Sequence, residues 1–170
     1  MPGLRNASIS WIVPGETLKD AGGNARICTV AKIFIDTNIL IYSMDQFDPE
    51  KRQRCRAILK TLKNDLHGVI STQVMQEFYV AATKKLGAEP LVVKDILNSF
   101  ERFEIVIIMP DIIKEAIDCG IINRLSFWDA LIVVAAESAK CEKLWTEDLN
   151  DGQVIRGVRI ENPLTGKKQV

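Results

Sequence analysis

Four acidic residues lie beside apolar segments of the chain, at places where their side chains could converge. One of them directly follows a short apolar run, one lies three residues beyond another such run, and two lie in early turns of helix-like segments. They are Asp36, Glu77, Asp129 and Asp148. Converging carboxylates repel one another, so they stay ionised together only if a cation compensates or if one of them takes up a proton. Oxygen ligands without histidine or cysteine suit Mg²⁺, with Mn²⁺ as a possible substitute.

A metal site of this kind has a specific chemistry. The cation lowers the pKa of bound water and stabilises charge on a phosphoryl group. The four acids therefore predict hydrolysis of a phosphodiester by metal-activated water, with no protein nucleophile. One metal or two metals about 3.5–4 Å apart are both compatible with these residues.

Short polar side chains accompany the acids and could orient a water molecule or a phosphate oxygen. They are Thr37, Asn38 and Thr146. For Asn38 and Thr146, helix capping and turn formation is the alternative. Asp151 is predicted to be a loop carboxylate, although it could hold metal-bound water. Glu147 is expected to point away from the site, since its neighbours Thr146 and Asp148 would share the other side.

The segment around Asp36 predicts a strand, a sharp turn and a helix. The apolar run 33–35 is too short for a helix and is typical of a strand buried on both faces. Asp36, Thr37 and Asn38 interrupt it, and a second apolar run follows at 39–42. Asp36 would then lie at the carboxyl end of a central strand, the edge where open α/β sheets bind ligands. The alternative is that Asp36 only caps the helix.

The remaining segments alternate between strand-like and helix-like patterns. Strands are predicted at 68–71, 103–109, 143–145 and, less regularly, 158–160. Helices are predicted from 49, 72, 90 and 110, and a strongly apolar, buried helix follows Ser126 and ends near Lys140. This order predicts a three-layer α/β/α sandwich around a parallel sheet of four to five strands. In such a sheet, strand carboxyl ends and helix amino ends share one edge, so all four acids could meet there.

The length of 170 residues allows one domain with a substantial core. Residues 1–29 are expected to be a loose, disordered extension or a start-site artefact, residues 30–163 the folded domain, and residues 164–170 a polar tail. The 22 cationic and 22 acidic residues cancel. Binding to nucleic acid would therefore depend on a local basic patch or a bound cation.

Cysteine and histidine usage disfavours other metal and redox sites. Cys28, Cys55, Cys119 and Cys141 are widely spaced, with no C-x-x-C pair. Without a secretory signal pattern, they predict reduced thiols in a cytoplasmic protein. The single histidine, His67, is expected in a surface turn. No apolar run reaches the roughly 18 residues of a membrane span, so no membrane association is predicted.

Four segments resemble the motifs of PIN-domain ribonucleases in the same order. Residues 34–42 (FIDTNILIY) resemble the first motif and residues 71–79 (STQVMQEFY) the second. Residues 126–132 (SFWDALI) resemble the third and residues 144–153 (LWTEDLNDGQ) the fourth. The match extends from about residue 31 to 162. Within that family, the chain looks like a VapC-type toxin of a type II toxin–antitoxin module.

The resemblance implies a Mg²⁺-dependent endoribonuclease that cuts RNA, with the four acids as its metal-binding and catalytic residues. It also implies a homodimer and a small antitoxin that blocks the site and anchors the complex to promoter DNA. Two departures stand out. The first thirty residues have no counterpart in the family pattern, and the fourth motif holds both Asp148 and Asp151, either of which could contact metal.

Two alternative functions would require other features of the sequence. A phosphohydrolase with an aspartyl-phosphate intermediate needs a second Asp two positions after Asp36, where this chain has Asn38. A non-catalytic binding module would be expected to have lost acids, whereas all four are present. Basic residues that could contact RNA, or could simply be solvated, are Lys84, Lys85, Arg124, Lys140 and the cationic face of residues 51–56.

Overall fold

The computed structural model describes residues 31–62 and 66–165. The predicted extension at 1–29, Cys28 and the end of the predicted tail lie outside the described residues. Leu164, which the sequence assigned to the tail, still packs against the core.

A mostly parallel sheet of six strands forms the centre of the molecule, and helices flank it. The strands are β1 (Ala31–Ile35), β2 (Leu66–Ser71), β3 (Glu104–Val106), β4 (Lys143–Trp145), β5 (Val154–Ile155) and β6 (Val158–Glu161). Their order across the sheet is β3-β2-β1-β4-β6-β5. The predicted α/β architecture is therefore confirmed.

Strand β1 lies between β2 and β4 and is parallel to both. The chain moves outward from β1 through β2 to β3, and then returns to the other side of β1 with β4. The strand order thus reverses between β1 and β4. In open α/β sheets the crevice for a ligand lies outside the carboxyl ends of the strands at such a reversal.

The sheet has one strand more than the four to five predicted, because β5 is only two residues long and has no readable periodicity. It pairs antiparallel with β6. The hairpin turn between them is formed by Arg156 and Gly157, both with positive φ (51° and 82°), as a two-residue type I′ turn requires. Strand β3 is shorter than predicted and ends at Val106. Beyond it, the Ile108 amide donates to the Thr72 hydroxyl at 3.1 Å instead of to a strand.

The helices are α1 (Thr37–Tyr42), α2 (Pro49–Thr61), α3 (Thr72–Lys84), α4 (Pro90–Ser99), α5 (Pro110–Asn123) and α6 (Phe127–Ser138), with a 3-10 turn at Phe100–Arg102. Helix α5 begins at Pro110, as predicted, and its last residue is Asn123. It stops at Arg124, whose left-handed backbone (φ 56°) closes the last turn.

The helices form two groups. Helices α1 to α4 contact one another in sequence or through α3, and α5 packs against α6. Helix α6 contacts β2, β4 and β6, and every residue from 130 to 136 is buried. The prediction of a buried apolar helix is confirmed. This burial fixes the first turn of α6, and hence Asp129, relative to the sheet.

Strand β2 corrects the placement of His67, which lies in the strand and not in a turn. It pairs with Lys32 of β1, and its imidazole lies 3.4 Å from the Glu104 carboxylate. The next residue, Gly68, packs closely under Phe103, since a Cβ there would lie 2.8 Å from the aromatic ring. A strand can continue through this position because glycine has no side chain.

Within residues 31–62 and 66–165, no single helix is long and apolar enough to cross a membrane. Helices α5 and α6 reach the required length and composition only as a pair, and that pair is bent by 115°.

Candidate active site

Asp36 links the ends of the two central strands. Its backbone amide donates to the Trp145 carbonyl at 3.0 Å, which joins the end of β1 to the end of β4. Its carboxylate accepts from the Thr37 amide at 2.6 Å and so caps α1. Asp36 therefore lies at the end of the central strand, as predicted, and also caps α1. The cap fixes a carboxylate that is only 6% exposed at the reversal point of the sheet.

Asn38 lies between two of the predicted acids. Its side-chain nitrogen is 2.9 Å from Asp36 Oδ2, 3.0 Å from Asp148 Oδ2 and 3.2 Å from Thr146 Oγ1. The Thr146 hydroxyl donates to Asp36 Oδ2 at 2.6 Å and accepts from the Asp148 amide at 3.1 Å. Asn38 and Thr146 thus hold the Asp36 and Asp148 carboxylates beside each other, and their predicted role toward water or a phosphate oxygen stays a prediction.

Glu77 joins this cluster from α3. Its Oε2 accepts from the Thr37 hydroxyl at 2.8 Å, and its Oε1 accepts from the Gln73 side chain at 2.9 Å. Gln73 was not predicted. It lies one helical turn before Glu77, and this i, i+4 spacing is the signal that could have identified it. The same Gln73 nitrogen lies 3.4 Å from the Trp128 carbonyl at the start of α6.

Burial dominates the electrostatics of Asp36. It raises the pKa of this carboxyl from 3.8 to about 7, against the hydrogen bonds from Thr146 and Thr37 that favour the charged form. The nearby negative charges of Asp148 and Glu77 raise the pKa further. A carboxylate in this environment is stabilised by a cation.

A cavity of about 790 Å³ opens over the three linked acids. Asp45 adds a fourth carboxylate to its lining, and Lys84 and Lys85 contribute cationic side chains. Much of the remaining wall is apolar and includes Phe47 and Trp128. An acidic floor with a partly cationic, partly apolar wall suits a ligand that carries both phosphate and apolar groups.

Asp129 lies at the edge of this arrangement. Its carboxylate accepts from the Ser126 hydroxyl at 2.7 Å, and its amide donates back to that oxygen at 3.2 Å, which caps α6. The preceding residue, Trp128, lines the cavity. Within the part of the chain that the structure describes, no hydrogen bond ties Asp129 to Asp36, Glu77 or Asp148, so its convergence with them remains a prediction.

Two acids after β4 have other partners. Asp151 accepts from the Asn162 amide at 2.9 Å, as a loop carboxylate would. Glu147 accepts a hydrogen bond from the Tyr42 hydroxyl and forms a 2.8 Å ion pair with Lys51. Glu147 therefore faces α1 and α2 rather than Asp36, in agreement with the sequence prediction.

The predicted basic candidates divide by position. Lys84 and Lys85 line the cavity, as noted above, whereas part of the cationic face of α2 is already paired. Lys51 contacts Glu147, Arg54 pairs with Glu50, and the Arg56 side chain donates to the Ser43 carbonyl. Arg124 and Lys140 each follow the end of a helix, with left-handed backbones (φ 56° and 58°).

The donor set fits a hard divalent cation. Asp36, Glu77 and Asp148 offer only oxygen, and Mg²⁺ is often bound through one or two carboxylates with several waters retained. The buried Asn38 Oδ1 has no hydrogen-bond partner within the described ranges, so an acceptor remains available for a ligand or for water on a cation. As the described side chains stand, no three acidic, His or Cys residues are grouped closely enough to enclose an ion. An ion would therefore need water ligands or side-chain adjustment.

The sequence matches the model of the PIN domain over residues 33–152. A comparison with curated proteins gave no significant match. Among solved structures, the chain is similar to a toxin–antitoxin complex from Klebsiella pneumoniae, with 25% identity and a TM-score of 0.58. That alignment covers 74% of this chain and 94% of the other.

Two further structures share the fold at lower identity. VapC20 from Mycobacterium tuberculosis, a toxin that cleaves the sarcin–ricin loop, has 13% identity and a TM-score of 0.58, covering 68% of this chain and 89% of that one. VapBC2 from Rickettsia felis, bound to a DNA fragment from its promoter, has 18% identity and a TM-score of 0.56. That alignment covers 76% of this chain and 97% of the other. The family model spans well over half of the sequence. The chain belongs to the PIN-domain family.

Proposed function

We propose that this chain is a divalent-metal-dependent endoribonuclease that hydrolyses RNA phosphodiester bonds, with Mg²⁺ as the preferred ion. One observation carries the proposal. The buried Asp36 lies beside Glu77 and Asp148 at the reversal point of the sheet, and its pKa of about 7 makes it a carboxyl that a cation would ionise. Charge-rich, buried groups of this kind are uncommon outside functional sites.

Asp36, Glu77 and Asp148 would hold the ion, which acts as a Lewis acid toward a phosphoryl oxygen and lowers the pKa of water. The neighbouring side chains orient these carboxylates. Thr37 and Gln73 donate to the two oxygens of Glu77, and Asn38 and Thr146 donate to Asp36. Contacts of this type keep ligand oxygens in place and tune their basicity.

Asp129 completes the proposed acidic site. The first turn of α6 is held next to Glu77 through Gln73, which contacts both Glu77 and the Trp128 carbonyl. A side-chain torsion that breaks the contact with the Ser126 hydroxyl would free the Asp129 carboxylate for a cation or for water on it. Asp151 is assigned to the loop, where it accepts from Asn162.

We further propose that the chain acts as the toxin of a toxin–antitoxin pair. The similarity to the Klebsiella pneumoniae complex, together with the motif order, supports an antitoxin partner. The Rickettsia felis complex on promoter DNA supports a partner that also contacts DNA. Apolar cavity residues such as Phe47, which is 87% exposed, offer contact area to such a protein.

A homodimer and a cytoplasmic location belong to the same proposal. Helix α5 exposes Ile117, Ile121 and Ile122, at 49%, 73% and 75%, an apolar surface that a second copy could cover. Cys55, Cys119 and Cys141 are free and buried. Burial raises the pKa of Cys55 to about 11 and that of Cys141 to about 12, which supports stable reduced thiols.

The phosphohydrolase alternative has less support. An aspartyl-phosphate mechanism requires a general acid two positions after the nucleophilic Asp36, and the amide of Asn38 cannot act as one.

The proposal is tested by incubating the purified, partner-free protein with total cellular RNA in Mg²⁺, in Mn²⁺ and in EDTA. Cleavage is expected with either metal and should disappear in EDTA and in Asp36→Asn. Thermal melting of both proteins, with and without Mg²⁺, checks folding and reports ion binding independently of activity. If folded wild-type protein cut no RNA in any metal, a non-catalytic binding module would be the better account.

A further inference from the structure

A second cavity of about 300 Å³ adjoins the acidic one. Gln73, Gln76 and Trp128 line both cavities and so form the wall between them. The far side of the second cavity is formed by Phe127, Ile108 and Ile113. Its size is at the lower end of the range for small-molecule sites, about 300–1,000 Å³.

We propose that this second cavity binds one nucleobase of single-stranded RNA, next to the phosphate held at the acidic site. The inference rests on the proposed ribonuclease function and deepens it by assigning a base-binding subsite. Its elements are an exposed aromatic pair, a buried amide with an open acceptor, and a wall shared with the acids.

The aromatic pair is Phe127 and Trp128, at the first two positions of α6. Their rings lie 5.2 Å apart at 69°, and they remain 38% and 59% exposed. Aromatic side chains left open beside a phosphate-binding site are the usual stacking partners of unpaired bases. Stacking tolerates any base, because every base has a π-face.

Gln73 supplies the polar element. Its side-chain nitrogen donates to Glu77 Oε1 and approaches the Trp128 carbonyl, and two acceptors in these positions fix the amide orientation. Its Oε1 is therefore the free end. That oxygen has no hydrogen-bond partner within residues 31–62 and 66–165, although Gln73 is only 4% exposed.

A buried acceptor without a partner is costly, by about 1–3 kcal/mol. A base edge carries amino or imino hydrogens that could satisfy it. The buried amide therefore favours a ligand with N–H donors and an apolar face, and a nucleobase has both.

The shared wall places the second cavity directly beside the acidic site. Gln73 contacts Glu77 of the acidic cluster directly, and Trp128 lines both spaces. A nucleotide carries its phosphate and its base on neighbouring parts of one unit, so the chain could bind both across this wall. A protein segment could also cover the apolar side chains and donate a backbone N–H to this acceptor, so loss of binding on removal of a single base is the result that distinguishes the two occupants.

The test uses full-length Asp36→Asn protein, which should bind RNA without cutting it. Fluorescence anisotropy gives Kd for a labelled single-stranded RNA that this protein binds, and for versions in which one nucleotide at a time lacks its base. Removal of the base at one position should weaken binding about tenfold. In the Asp36→Asn, Trp128→Leu double variant, removal of the same base should not weaken RNA binding any further. In the Asp36→Asn, Trp128→Phe double variant, it should still weaken binding, by less than about tenfold.

Leu91→Ala in the same Asp36→Asn background is the matched control. Leu91 is exposed and apolar but lies outside both cavity linings, so the penalty should persist there. The inference is overturned if no single position carries a penalty, or if the penalty is as large in Trp128→Leu as with Trp128 present. It is also overturned if Trp128→Leu weakens the binding of a protein partner but leaves the effect of base removal on RNA binding unchanged. If the folded wild-type protein cleaved no RNA in Mg²⁺ or Mn²⁺, that result would instead contradict the proposed ribonuclease function itself.

Discussion

Asp36 accepts hydrogen bonds on both carboxylate oxygens, and yet its pKa lies near 7. Burial destabilises the charged form of the carboxyl by more than those hydrogen bonds stabilise it. The residue is thus poised between two states. Without a cation it holds a proton part of the time at neutral pH. With a cation beside it, the charged form is favoured.

This balance predicts how the stability of the metal-free protein depends on pH. The folded-state pKa is raised from 3.8 to about 7, so the folded protein binds more protons than the unfolded chain between these values. The free energy of unfolding should therefore fall as pH rises from about 4 to 7, by a few kcal/mol at most from this group. Urea denaturation in EDTA at several pH values measures it.

Asp36→Asn provides the comparison for that experiment. An amide does not titrate, so the variant should lose this part of the pH dependence and be more stable than the wild type at pH 8 in EDTA. Equal pH profiles for the two proteins would show that Asp36 is not the buried carboxyl responsible.

At the scale of elements, the loop after β4 is held from outside the acidic cluster. Glu147 accepts a hydrogen bond from Tyr42 at the end of α1 and pairs with Lys51 of α2, whose ammonium lies 3.5 Å above the Tyr42 ring. Burial, reinforced by Glu147, raises the pKa of Tyr42 to about 12, so it stays a donor. These contacts fix the residue next to Asp148 in sequence.

Tyr42→Phe should therefore loosen the Asp148 loop while leaving every acid in place. We expect a loss of about 1 kcal/mol in stability and a higher Mg²⁺ concentration for half-maximal cleavage. The matched control is Tyr79→Phe, since Tyr79 is the other tyrosine of the chain and is 41% exposed. An unchanged Mg²⁺ requirement in Tyr42→Phe would remove the positioning role.

Two glycines make a paired test of packing between elements. In Gly68→Ala the new methyl would meet Phe103 at 2.8 Å and Ile35 at 3.2 Å, which should cost about 1–3 kcal/mol. In Gly120→Ala the nearest atom is the Leu125 carbonyl at 3.4 Å, so helix propensity should stabilise α5 by up to about 1 kcal/mol. Urea midpoints that move in the same direction would contradict this description of the packing.

The sequence predicted much of this arrangement because parallel strands end at one edge. Asp36, Glu77 and Asp148 could be placed together from that rule alone. Strand β5 was not predicted, since two residues are too few to show an alternating pattern. The length of β3 was overestimated because the Ile108 amide donates to the Thr72 hydroxyl and not to a neighbouring strand. Gln73 escaped because a polar residue within an amphipathic helix is usually solvated.

At the scale of the whole molecule, opposite charges cancel, 22 against 22, so attraction of RNA has to be local. Lys84 and Lys85 line the same cavity as Asp36, Glu77 and Asp148. Their positive charges would attract a polyanion to this cavity in spite of its acids. The long-range field contributes little, which leaves recognition to the cleft itself.

The exposed isoleucines of α5 predict the oligomeric state. Ile121→Glu should convert a dimer into a monomer, because it places a charge in the proposed apolar interface. Val154→Glu is the control, since Val154 is 56% exposed on edge strand β5 and should leave the dimer intact. Sedimentation velocity distinguishes these states. A monomeric wild type, or dissociation by Val154→Glu alone, would place the interface elsewhere or remove it.

RNA cleavage by the proposed site should require Asp36 and Asp129 but not Asp151. The decisive measurement is the single-turnover cleavage rate in Mg²⁺ for wild type, Asp36→Asn, Asp129→Asn and Asp151→Asn, with folding checked by thermal melting. We predict losses of at least about 100-fold for Asp36→Asn and Asp129→Asn, as expected when transition-state stabilisation is removed, and a near wild-type rate for Asp151→Asn. Retained cleavage in folded Asp36→Asn would contradict the account.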